Sequence, residues 1–176
     1  MTNPARAEAD AMRRVGATRT PVQKGALVVA AAFTVVGILG FIPGITTNYD
    51  SMRLAGADSD AHLFGIFEVS ILHNLVHLLF GLAGFAFART VSGARAYLVG
   101  GGAIYLVLWL YGLIVDKESA ANFIPINNAD SWLHLFLGIG MIAIGLAAPP
   151  RRRADDMRTA DDLDDVPTSQ RYGGAT

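Results

Sequence analysis

Apolar residues in this chain gather into four long runs separated by short polar connections. The runs cover roughly 25–42, 69–88, 96–115 and 132–148, and none contains Asp, Glu, Lys or Arg. Each is about the length a helix needs to cross the hydrocarbon of a bilayer. The pattern predicts helices over about 25–42, 65–88, 95–115 and 131–148. The fold class expected is all-α: a polytopic membrane protein with four transmembrane helices in an antiparallel bundle. Local signals mark the ends. Ile42-Pro43-Gly44 stops the first helix, Ser92-Gly93 sits in a tight turn, and Asp130-Ser131 reads as an N-cap of the fourth. Pro149-Pro150 closes the last helix. The first run exceeds a usual signal core and no small-x-small site follows it, so a retained signal anchor is expected.

The second and fourth runs resemble each other. Asn74, His77 and Gly81 line up with Ser131, His134 and Gly138. Two tandem helical hairpins related by an axis along the membrane normal would give this pattern.

Charge adds orientation. The N-terminal segment carries Arg6, Arg13, Arg14, Arg19 and Lys24, the middle turn Arg89 and Arg95, and the C-terminal segment opens with Arg151, Arg152 and Arg153. The first and third connections are instead mostly acidic. The positive-inside rule then puts both termini and the middle turn in the cytoplasm. The expected organisation is a basic cytoplasmic tail (1–23), a transmembrane domain (24–149) and a disordered acidic tail (150–176). The Phe123–Ile126 stretch is expected to dip into the outer interface.

Composition removes several function classes. Among 176 residues there is no Cys, which excludes disulfides, thiolate metal sites and thiol redox chemistry. A net charge of −1 argues against a nucleic-acid partner. Arg far outnumbers Lys, and Ala, Gly and Val abound, as in bacteria with GC-rich DNA. Localisation in a bacterial cytoplasmic membrane follows, with the lipid bilayer as the first partner. A homo-oligomer and an unknown membrane partner both stay open. Gly100–Gly102 lacks the Lys-Ser/Thr of a nucleotide loop. Ser70 near His73 lacks an acidic orienter on its face, so no catalytic residues are assigned.

The candidate chemistry lies in buried polar positions, because ionisable groups within a membrane normally face protein. On a helix, Ser70, His73, Asn74, His77, Gly81 and Gly84 fall within about a 100° arc, with Glu68 nearly opposite His77. His134 shares a side with Ser131, Gly138, Met141 and Gly145. Tyr105, Trp109, Gly101 and Gly112 share a side of the third helix. Counting about 1.5 Å per residue from the cytoplasmic ends places the His and these aromatics between the midplane and the outer interface. The expected site is an outer-leaflet polar pocket formed by His73, Asn74, His77, Tyr105 and His134. Three readings compete. The polar residues are interhelical hydrogen-bond glue. Or His73, His77 and His134 bind a divalent metal or haem in a redox subunit. Or they serve small-solute or proton transport. Trp109, Tyr111 and Trp132 read as interface aromatics. The leading functional expectation is a small apolar or lipid-like ligand in the pocket, and binding rather than enzymatic turnover.

The stretches Leu63–His77, Tyr105–Gly112, Asn122–Asn127 and Asp130–His134 resemble domain of unknown function 4383, a bacterial membrane family found largely in actinobacteria. The resemblance covers about Lys24–Ala148. It implies a four-helix membrane protein and carries no catalytic or ligand residues over to this chain.

Overall fold

The computed structural model describes residues 19–147. Residues 1–18 of the expected N-terminal tail and 148–176 lie outside the described residues, including Arg6, Arg13, Arg14, Pro149, Pro150, Arg151–Arg153 and the acidic run, while 21–23 of that tail are helical. Four α-helices occur among the described residues: α1 (Pro21–Leu39), α2 (Ile71–Phe87), α3 (Val91–Ile114) and α4 (Asn128–Ala147). Three of them, α1, α3 and α4, are long and apolar enough to cross a membrane. Between α1 and α2 lies a three-stranded antiparallel sheet of β1 (Thr46–Thr47), β2 (Ala61–Leu63) and β3 (Phe67–Val69).

Helix starts follow their capping chemistry. The Thr20 side chain accepts from the Gln23 amide, Gln23 reciprocates, and Pro21 occupies the first turn. This capping box starts α1 earlier than the expected position 25. Thr90 caps α3 through the Gly93 amide, so Ser92-Gly93 belongs to the first helical turn and not to a loop. Asn127, not Asp130-Ser131, caps α4. Its Oδ1 accepts from the Asp130 amide, while Asp130 Oδ2 accepts from the Asn127 amide.

The second helix differs most from expectation. It begins after Ser70, whose side chain accepts from the His73 amide, and not near residue 65. Phe67–Val69 pairs with Ala61–Leu63 instead of extending the helix. Phe64 (φ 55°) and Gly65 (φ 71°) turn the chain between these strands through the left-handed region. Glu68 is therefore a strand residue, and its helical angle to His77 has no meaning.

The helices pack through small residues. A Cβ at Gly102 would lie 2.7 Å from the Gly138 carbonyl oxygen, so α3 and α4 touch backbone to backbone. At Gly81 it would lie 2.9 Å from the Ala30 carbonyl oxygen, and α1 and α2 meet likewise. Large apolar side chains point outward instead: Leu79, Leu82, Val107, Ile114 and Phe136 are all exposed. The interior mixes Gly, Ala, Ser, Asn and His with larger residues such as Phe33, Leu98, Tyr105 and Met141. Such an outside fits hydrocarbon better than water.

The expected internal likeness extends well beyond the motif. At one constant offset, Ser70, Asn74, His77, Gly81 and Ala88 correspond to Asn127, Ser131, His134, Gly138 and Gly145. At another, the buried Val22, Ala26, Ala30 and Phe33 of α1 correspond to the buried Ala94, Leu98, Gly102 and Tyr105 of α3. Hydrogen bonds repeat too. Gln23 Nε2 donates to the Ala88 carbonyl at 3.0 Å, and Arg95 Nε at the equivalent position donates to the Gly145 carbonyl at 3.0 Å.

Candidate functional site

A cavity of about 360 Å³ opens between the helices beneath the sheet. Its floor and walls come from Val28, Val29, Ala32, Phe33 and Val36 of α1 and from Leu133 and Leu137 of α4. Leu63, Phe64, Phe67 and Val69 roof it. His73, His77, Tyr105, Asp130 and His134 supply its polar edge. Four of the five expected pocket residues therefore line one space.

Asn74 does not join them. It sits on the Gly40 side of α2, where its Nδ2 lies 3.9 Å from Met52 Sδ. Gly40 has no Cβ, and the Asn74 amide occupies that room. Ser131, the equivalent residue, fills the space over Gly112 in the same way.

Aromatic rings order the polar groups. His73 and His77 lie 4.7 Å apart by ring centroids. His77 stacks on Phe33 at 5.7 Å, Phe33 meets Tyr105 at 5.5 Å, and Tyr105 meets His134 edge-on at 5.0 Å. One continuous chain of rings thus runs from α2 through α1 and α3 to α4. The two central rings, Phe33 and Tyr105, occupy equivalent positions of the two hairpins.

The imidazoles are incompletely satisfied. Nδ1 of His73, His77 and His134 is buried and has no hydrogen-bond partner among the described residues. His73 and His134 are 6% and 5% exposed. An unpaired buried polar atom costs about 1–3 kcal/mol, and such atoms are rare enough to ask for a reason. Among the described residues, no three His, Cys, Asp or Glu side chains come together in a way that would hold one metal ion.

Asp130 lines the cavity, a role beyond the cap expected of it. It is 3% exposed, and its Oδ2 accepts both from the Asn127 amide and from the Glu68 amide of β3 at 3.1 Å. It therefore fastens the sheet to α4. The signal was available, because Asp130 precedes His134 by one helical turn and shares its face. Asn127 Nδ2 adds a second tie, donating to the Ile66 carbonyl at 2.7 Å. Nearby, burial raises the Glu68 carboxyl above its ordinary range; His62 opposes the shift, while Glu118 and Asp60 add to it. In the third connection, Phe123 is exposed while Pro125 and Ile126 turn inward. The Tyr111 hydroxyl donates to the Ala121 carbonyl, and Trp109 is partly buried with its ring nitrogen unpaired.

The family model for a domain of unknown function, DUF4383, matches residues 23–147. The chain belongs to the DUF4383 family. The DUF4383 match covers α1 from Gln23 onward, the other three helices, the sheet and the whole cavity lining. No curated protein and no solved structure matches the chain.

Proposed function

We propose that this DUF4383 protein is a four-span membrane protein that binds a small, largely apolar ligand in the cavity beneath its sheet. Three buried imidazole nitrogens without hydrogen-bond partners among the described residues, set on the rim of an apolar space, carry this reading. They offer hydrogen bonds at fixed points, while the walls offer hydrophobic contact. That is the usual composition of a ligand pocket, and the volume falls within the usual range.

The fourth span is α2. Its 17 residues rise about 26 Å, a little short of the hydrocarbon thickness, and the sheet above it makes up the difference. Close contacts pair Gly112 with Ser131 and Gly145 with Leu98, so α3 and α4 run in opposite senses, which supports an antiparallel bundle. Arg89 and Arg95 lie at the end opposite the sheet, together with Arg19 and Lys24. The positive-inside rule makes that end cytoplasmic and places the cavity in the outer leaflet of a bacterial cytoplasmic membrane.

The test is titration of detergent-solubilised protein with tetramethylbenzoquinone, a small apolar ring bearing two carbonyl acceptors, followed by thermal unfolding. The expected result is a saturable rise in Tm, about 2.7 kcal/mol of stabilisation at a hundredfold excess over Kd. The double variant His77→Phe/His134→Phe keeps ring volume and should keep the helical circular dichroism while losing the rise. No shift in the parent protein, or an equal shift in the variant, refutes the reading. A visible absorption band or stoichiometric metal in the purified protein would favour a redox subunit instead.

A further inference from the structure

The cavity is not closed on all sides. Val28 and Leu133 are 69% and 45% exposed while also lining it, and Ala32, one turn after Val28, lines it and is exposed too. These side chains stand on the facing flanks of α1 and α4. One opening therefore lies between two helices, level with the apolar outer surface, while Phe64 of the roof is exposed at the sheet end.

The equivalent flank, between α3 and α2, carries a different side chain at one position. Leu137 borders the cavity, whereas its counterpart Phe80 fills the core, packing against Phe33 at 5.7 Å and Tyr105 at 6.3 Å. The Phe80 ring is thus a clear difference between this flank and the one that carries Leu137.

The charge of the lining restricts what can enter. Among the described residues, no Lys or Arg lines the cavity. The one carboxylate that they place there, Asp130, is already engaged by two backbone amides. A phosphate head would meet no cation there and would face that carboxylate, a costly burial for an unpaired charge. A neutral head with hydroxyl, ester or carbonyl oxygens meets the free imidazole nitrogens at no such cost.

We infer that the cavity takes an uncharged amphiphile directly from the bilayer, through the gap between α1 and α4, with its neutral head at the imidazoles and its tail left in lipid. This inference rests on the cavity being a binding site. It adds the ligand class and the route.

The experiment uses the full chain in phosphatidylcholine nanodiscs with a photoactivatable diacylglycerol, or with a phosphatidylglycerol of the same chains. Cross-links are mapped by mass spectrometry. The diacylglycerol should label the Val28–Val36 and Leu133–Leu137 segments at least about tenfold more than the phosphatidylglycerol does. Both should label the outward-facing Leu82 region equally. Leu137→Phe, which copies the Phe80 side, should abolish the selective labelling, as should Ala32→Phe from the opposite wall; circular dichroism and Tm report whether each variant folds. Equal portal labelling by the two lipids overturns the neutral-head assignment. Selective labelling that survives both plugging variants overturns the route. If tetramethylbenzoquinone still binds while diacylglycerol fails to label the portal, this inference alone falls; if neither binds, the cavity reading falls with it.

Discussion

The two helical hairpins share a packing plan and differ in what they enclose. In both, a glycine on the second helix meets a backbone carbonyl of the first, and a polar side chain about two turns before that glycine fills the space over a glycine of the first helix. In both, a long polar side chain ties the hairpin's far end. The differences are few: Phe80 against Leu137, His73 against Asp130, and a sheet in one connection where the other has none. Repetition therefore sets the frame, while a handful of departures create the cavity and its portal. A repeated skeleton fixes helix spacing; chemistry can then be built on one side without loosening the other.

That comparison can be broken most forcefully at the helix crossings. Gly138→Val and Gly81→Val should each destabilise the protein by about 1–3 kcal/mol, and by similar amounts, because each drives a side chain into a facing carbonyl. Gly140→Val, where an added Cβ meets nothing within 4 Å, should leave the unfolding midpoint in detergent unchanged. Unequal losses at Gly81 and Gly138 would argue against equivalent crossings.

The helix caps should separate the hairpins next. Asp130→Ala strands the amides of Glu68 and Asn127, at a cost of about 1–3 kcal/mol. Ser70→Ala removes a single cap bond, worth about 1 kcal/mol. Denaturation of the two variants side by side checks the order, and a larger loss at Ser70 would contradict it.

Exchange of the portal residues gives a smaller effect of opposite sign on the two sides. Leu137→Phe fills existing space and should stabilise by about 0.5–2 kcal/mol. Phe80→Leu opens space beside Phe33 and Tyr105 and should destabilise by about 1 kcal/mol. Thermal unfolding of the single and double variants would reveal whether the two sites act independently.

The smallest effect concerns pH. The Glu68 carboxyl titrates above its ordinary range in the folded protein, chiefly because burial disfavours its charge. The folded state then holds this proton more tightly than the unfolded chain does. Its contribution to stability is complete below the unfolded carboxylate range and is lost as pH rises through the raised folded value. Glu68→Gln should flatten that part of the Tm-against-pH curve; an unchanged slope would discount Glu68 as its source.

Much of the helical frame was legible, because long uncharged runs have few alternatives to a membrane helix. The boundary before α2 was not. Residues 63–69 are apolar except for Glu68, a single charge that did not mark a break, and the Ser70 cap is what separates strand from helix. The cavity was legible in part. His73, His77 and His134 lie on inward faces, and the need to bury polarity brought them together. Asn74 shares the arc of His73, yet an arc of that width on a helix touches two different neighbours, and Asn74 faces Gly40. Asp130 was masked by its own capping role. The sheet that roofs the site was invisible, because strands of two or three residues are too short to show periodicity.

The start of α2 carries a further consequence. The amides of Ile71 and Leu72 donate to the carbonyls of Arg53 and Leu54, so a stretch of the first connection takes the place that water holds at an ordinary helix beginning. Deuterium should therefore enter these two positions slowly, although first-turn amides normally exchange within moments. The connection and the helix should open as one cooperative unit, so anything that loosens residues 53 and 54 would bare the top of the bundle in the same event.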